Sequence, residues 1–171
     1  MLVFSSRLFF FALLPALLAA GCSDEYTCED AIDWPATVTV LMPVDVDPAK
    51  PAVAPVLEVL AVFKQTACVD RYDTLEIASA KVTDVDTGEK LLDLSMRFHS
   101  PEDAMFLPCE GRPAGGSNIA DVVTEGVTNA DLAPLCGRTD LALEVLIRRK
   151  GCADTDKATQ VSTREMSVDC P

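Results

Sequence analysis

Alternation at period two, more than any other feature, limits what this chain can fold into. Leu141, Leu143, Val145 and Ile147 fall on one face of the segment Leu141 to Arg149, the pattern of a strand buried on one side. Val161 to Val168 follows across the loop Gly151 to Lys157, so the two segments read as a hairpin in which paired residue numbers sum to about 309. A second hairpin joins Leu75 to Val85 with Lys90 to Phe98 through Asp86-Thr87-Gly88, and Leu92, Leu94, Met96 and Phe98 share a face of its second arm. From Thr37 to Val46 the residues Val38, Val40, Met42, Val44 and Val46 line one side, with Pro43 marking an edge or a bulge. Val56 to Lys64 is a Val-rich buried strand, although its periodicity also permits a helix opening at Pro55.

The intervening stretch is less regular. Ser100-Pro101-Glu102-Asp103 has the letters of a helix start, with serine as cap and proline in the first turn, and Asn118 to Val127 suits a short helix. Six strands punctuated by hairpin turns predict a mainly β domain. The expected form is an antiparallel β-sandwich with one or two short helices, an immunoglobulin-like order being one version of it.

Ahead of that domain lies a different kind of segment. After Arg7, Leu8 to Ala20 is an apolar run of 13 residues interrupted only by Pro15, and it closes on Ala19, Ala20 and Gly21. Such a run is short for a membrane span and reads as a signal-peptide core over residues 1–21. Directly after it, Leu18-Ala19-Ala20-Gly21-Cys22 resembles the lipobox of bacterial lipoprotein precursors, with Leu18 one place earlier than the family's usual leucine and Ala19 in its stead. The resemblance covers about 23 residues and implies no fold. It implies that the Cys22 thiol carries a diacylglyceryl group, that the chain is cut before Cys22, and that the new amino group is acylated. In that family an aspartate after the cysteine retains the protein at the inner membrane; Ser23 stands there, which implies the outer membrane. The competing reading is an ordinary secretory cut near Ala20 or Gly21.

Cysteine parity bears on the same point. The chain has seven cysteines, and an odd number in an exported protein leaves one thiol over. With Cys22 lipidated, Cys28, Cys68, Cys109, Cys136, Cys152 and Cys170 can make three disulfides. Their gaps of 40, 41, 27, 16 and 18 positions contain no Cys-x-x-Cys pair for zinc or redox chemistry. Six cysteines allow 15 connectivities; the hairpin register brings Cys136 near Cys170 and makes that pair the preferred one. Residues 22–35, polar and acidic, form a tether to a domain spanning 36–171, with Trp34 packing where the two meet.

Charge narrows the partners. All 27 acidic residues and every basic residue but Arg7 follow position 21, so that part carries a net charge of −14 with His99 neutral. A field of that sign repels nucleic acid and anionic lipid, which leaves the lipid on Cys22 as the expected membrane contact and an envelope or surface protein as the expected partner. No cofactor is expected: neither a phosphate loop nor a dinucleotide fingerprint is present.

His99 is the sole histidine, and no Gly-x-Ser-x-Gly or Ser-x-x-Lys motif accompanies it; the expectation is a strand-end histidine without a catalytic role. Asp84, Asp86 and Glu89 around Gly88 are weak calcium candidates, since hard cations need several oxygens at short spacing. A hairpin turn predicts the same letters, as it does for Asp154 and Asp156 and for Asp45 and Asp47. The function expected is therefore a non-catalytic envelope lipoprotein that binds or supports another component. Two alternatives stay open: an exported hydrolase with an unrecognised carboxylate or metal site, and a calcium-stabilised adhesion module.

Overall fold

Extended chain dominates the computed structural model, which describes residues 36–64, 73–103, 105–106, 117–156 and 159–171. In chain order the elements are β1 (Ala36–Val40), β2 (Val44–Asp45), β3 (Val59–Lys64), β4 (Asp73–Asp84), β5 (Lys90–Leu94), β6 (Met96–Phe98), β7 (Met105–Phe106) and β8 (Ser117–Thr124). They continue with α1 (Asn129–Leu132), a 3-10 turn at Ala133–Leu135, β9 (Leu141–Arg149), β10 (Thr159–Met166) and β11 (Val168–Asp169). The strands make one antiparallel sheet in the order β1-β3-β8-β6 and a second in the order β10-β9-β4-β5, with β7 also on β4; β2 and β11 form a short parallel pair.

One apolar core lies between the two sheets. Val38, Ala61 and Ala120 stand in register across β1, β3 and β8, and Val59, Val122 and Phe98 make the next row. The opposing sheet contributes Leu141, Leu143, Val145 and Ile147 from β9 with Val82 from β4, each fully buried. Burying one such side chain contributes about 1.5–3 kcal/mol, so β9 is a main stabilising strand. The Phe63 and Phe98 rings pack tilted, with centroids 5.8 Å apart, within the separation favoured by aromatic pairs.

The β9–β10 hairpin pairs residues whose numbers sum to 307, as in Thr159 with Arg148. Where β1 would expose an edge, the Val38 N–H donates to Ser162 Oγ on β10 at 2.8 Å. The bond satisfies a buried donor and ties the sheets at that edge.

Several expectations need correction. The segment Thr37 to Val46 is two strands, because the chain leaves the first sheet at Leu41 and joins the two-stranded β2–β11 pair at Val44. Val40 is only partly buried and Met42 is exposed, so the single apolar face ends there. The arm Lys90 to Phe98 keeps its buried face through Leu94, Met96 and Phe98, but the partner changes at Ser95: β5 pairs with β4 and β6 pairs with β8 in the other sheet. Asn118 to Val127 is not a helix. Its first part is β8, a central strand that buries Ala120 and Val122 between β3 and β6.

Residues 101–103 form a turn. The Ser100 hydroxyl donates to Asp103 Oδ2 at 2.9 Å and accepts from the Asp103 N–H at 3.2 Å, so the cap bonds exist without a helix behind them. The helix that forms is α1, where the Thr128 N–H and hydroxyl both donate to Asp131 Oδ2, at 2.8 and 2.7 Å. Two of its backbone N–H groups are taken by the preceding loop: Asn129 donates to the Val53 carbonyl and Ala130 to the Pro51 carbonyl.

Cys136 and Cys170 are disulfide-bonded with Cα atoms 5.8 Å apart, tying the 3-10 turn to the end of β11. Cys152 is buried and disulfide-bonded as well. Cys22, Cys28, Cys68 and Cys109 lie outside the described residues, as do the signal segment 1–21, the tether 22–35 and Trp34.

Candidate binding surface

The two sheets present different outer faces. On the β10-β9-β4-β5 sheet, Thr163, Glu144, Lys81 and Asp93 stand side by side in register, and Lys81 Nζ lies 2.7 Å from Glu144 Oε1. Further along, Arg148 bonds both Glu76 and Asp154, and the Glu76 carboxylate beside it raises the guanidinium pKa above its ordinary value. A ladder of matched charges is a solvated face. The other sheet turns Leu60, Val62, Ile119 and Val123 outward beside Thr37 and Thr39, with Ile119 strongly exposed.

A concave surface with apolar residues in its lining sits at one end of the sheets. Leu41, Met42 and Pro43 carry the chain from β1 to β2 there, and Val85 follows β4. Leu41, Met42 and Val85 are each about half exposed, at 49, 55 and 49 %, where a folded chain usually hides large apolar side chains. With Pro43, and with Asp140 and Glu165 at the rim, they line a cleft of about 470 Å³. Leu41 also borders a smaller cleft of about 320 Å³ with Leu60, Asp121 and His99. Past β2 lies a wider cleft of about 790 Å³ that includes Asp45, Asp47, Val53, Val56, Asn129 and Asp169.

Strand register places these clefts opposite the end at which β1 begins. Ala36 pairs with Phe63 near the end of β3, whereas Val40 pairs with Val59 at its start, and Val40, Leu141 and Met166 all line the first cleft. The described domain therefore begins at one end of the sheets and displays Leu41, Met42 and Val85 at the other.

The residues singled out as possible chemistry are distributed differently. Asp84 is occupied by its own turn: its Oδ1 accepts from the Thr87 N–H at 2.9 Å and from the Thr87 hydroxyl at 3.0 Å, and Arg138 Nη1 lies 3.8 Å from Oδ2. Those bonds hold its carboxyl below the usual range. Gly88 has φ +69° and donates its N–H to the Asp84 carbonyl, which a glycine adopts without strain. Asp86 and Glu89 are exposed on the same turn. Among the described residues, no group of three His, Cys, Asp or Glu side chains is placed to hold a metal ion.

His99 is exposed at the end of β6, where its N–H donates to the Asp121 carbonyl at 2.9 Å and its carbonyl accepts from Arg97. The neighbouring Ser100 hydroxyl is bonded to Asp103 instead. Sequence reasoning passed over Leu41, Met42, Val85 and Asn129. The available signal was Leu41-Met42 next to Pro43, since adjacent residues of a strand cannot both face one core.

Among the described residues no helix is long and apolar enough to cross a membrane. No family model matches the chain, and neither a curated protein nor a solved structure matches it.

Proposed function

We propose that this chain is a non-catalytic, lipid-anchored binding module of the bacterial cell envelope, held at the outer membrane through Cys22 and reaching a partner protein with the end of its domain that lies away from Ala36. The observation that carries the binding role is the gathering of Leu41, Met42 and Val85 around one open cleft at that end. Asp140 and Glu165 on its rim, in a chain of net charge −13, favour a partner surface that is apolar at its centre and basic at its edge. The anchor rests on the Leu18 to Cys22 junction and on the odd cysteine that lipidation accounts for.

Strand order supports an immunoglobulin-like sandwich for the domain. Strands β1, β3, β8 and β6 take the positions A, B, E and D, and β10, β9, β4 and β5 the positions G, F, C and C′. Such sandwiches use loops gathered at an end for recognition, while the fold itself names no ligand. Three disulfides across Cys28, Cys68, Cys109, Cys136, Cys152 and Cys170 would staple it.

Two variants test the parts separately. Replacing Cys22 by alanine should move the protein from the membrane to the soluble fraction of cells with its fold unchanged. A photo-cross-linking residue at Met42 should yield a discrete adduct with an envelope protein that is absent when the same residue replaces Thr163 on the charged face. Retention of the Cys22→Ala protein in the membrane would refute the anchor, and identical adducts from both positions would refute the binding end.

A further inference from the structure

The cleft beyond β2 carries a chemistry of its own. Asp45 and Asp169 are register partners on the parallel β2–β11 pair, and both are exposed and line the cleft. Neighbouring strands lie about 4.8 Å apart and register partners project to the same side, so two like charges stand next to each other at a cost to the fold. Among the described residues neither carboxylate has a cationic partner. The nearby Lys50 bonds Asp47, at 2.9 Å.

A second, separate observation concerns Asn129, which lines the same cleft. Asn129 is 3 % exposed; its Nδ2 donates to the Lys50 carbonyl at 3.1 Å, while its Oδ1 is buried without a hydrogen-bond donor. A buried acceptor left unsatisfied costs about 1–3 kcal/mol, and buried polar groups in folded proteins are otherwise almost always paired. An unsatisfied acceptor in the lining of the same cleft as an unpaired pair of carboxylates calls for a ligand that brings both positive charge and N–H donors. Val53 and Val56, 51 and 65 % exposed, line the same cleft and offer apolar surface to a methylene stem.

We propose that this cleft is a subsite for a lysine or arginine side chain of a partner protein, with Asp45 and Asp169 neutralising its charge, Asn129 Oδ1 accepting an N–H, and Val53 and Val56 covering the stem. The apolar lining favours a long organic cation over a bare metal ion. The inference stands on the cleft itself and does not depend on the lipid anchor or on the Leu41–Met42 surface.

The test is an NMR titration of the full chain with Nα-acetyl-lysine methylamide and Nα-acetyl-arginine methylamide, following the Asn129 side-chain amide and the backbone amides of Val46 and Asp169. The uncharged norleucine analogue and calcium chloride serve as the comparisons. Saturable shifts of these amides are expected with at least one cationic analogue. The double variant Asp45→Asn/Asp169→Asn, whose exposed side chains make no hydrogen bond among the described residues, should bind about tenfold more weakly, a few-fold for each surface charge pair lost. Absence of shifts with both cationic analogues would overturn the assignment, as would equal shifts with norleucine. Shifts produced by calcium but not by the cationic analogues would overturn it in favour of a metal site. Loss of membrane anchoring in the Cys22→Ala variant would leave these shifts unchanged, so the two proposals fail independently.

Discussion

Removing the Cys136–Cys170 bridge by the double substitution Cys136→Ala/Cys170→Ala should destabilise the domain mainly through its unfolded state. The bridge spans 34 positions, and the chain-entropy relation for a closed loop of that length gives about 4 kcal/mol at 25 °C. Both cysteines also pack against the core as partly buried groups, so alanine at each removes little further contact. Converted with the entropy of unfolding of a domain of this size, the loss lowers Tm by roughly 10 °C. Urea denaturation followed by circular dichroism gives the free energy, with mass spectrometry confirming that the remaining cysteines keep their oxidation state. The m-value is expected to rise, because an unbridged unfolded chain exposes more surface. A loss under about 1 kcal/mol with an unchanged m-value would instead show that the unfolded chain is held compact by something other than this bridge.

Three further outcomes follow from the same packing. Ser162→Ala leaves the buried Val38 N–H without its 2.8 Å acceptor and should cost about 1–3 kcal/mol in the same denaturation assay; a neutral result would mean that β1 finds another acceptor on β10. Leu143→Ala, at a side chain 1 % exposed in β9, should cost about 2–5 kcal/mol, and a smaller loss would place β9 at the margin of the core. Asp84 and Asp131 are held below their ordinary pKa of 3.8 by hydrogen bonds from Thr87 and Thr128 respectively. A carboxyl depressed on folding contributes stability that is present above its unfolded value and lost as pH falls through the folded one. Wild type should therefore lose stability below pH 3.8 more steeply than Asp84→Asn/Asp131→Asn in urea midpoints measured against pH, and parallel curves would refute that role.

The β9–β10 hairpin was legible because Leu141, Leu143, Val145 and Ile147 all serve one buried face and a single loop sets the register. The observed sum of 307 lies close to the 309 read from the loop, near enough to bring Cys136 toward Cys170. Pairing partners were harder to read than faces. Alternation through Leu92, Leu94, Met96 and Phe98 continues across Ser95 although the strand changes sheets there, since period two reports which side is buried and not which strand lies alongside. Strand β8 read as a helix because a central strand with Ile119 outward and Ala120 inward lacks a clean polar face. The Thr128-x-x-Asp131 capping signal of α1 was present in the letters and went unused. The clefts were not legible at all: residues 41–43, 85, 139–141 and 165–167 meet only once both sheets are formed, and Asp45 lies beside Asp169 only through the β2–β11 pairing.

Intact and peptide mass spectrometry of the protein purified from its native membrane, with and without reduction, tests the lipid anchor and the disulfide set together. A lipid-anchored, disulfide-stapled protein should give a chain beginning at Cys22, a diacyl or triacyl mass on that residue, and six oxidised cysteines that include a Cys136–Cys170 peptide pair. An unmodified Cys22, or free thiols among the other six, would contradict that expectation.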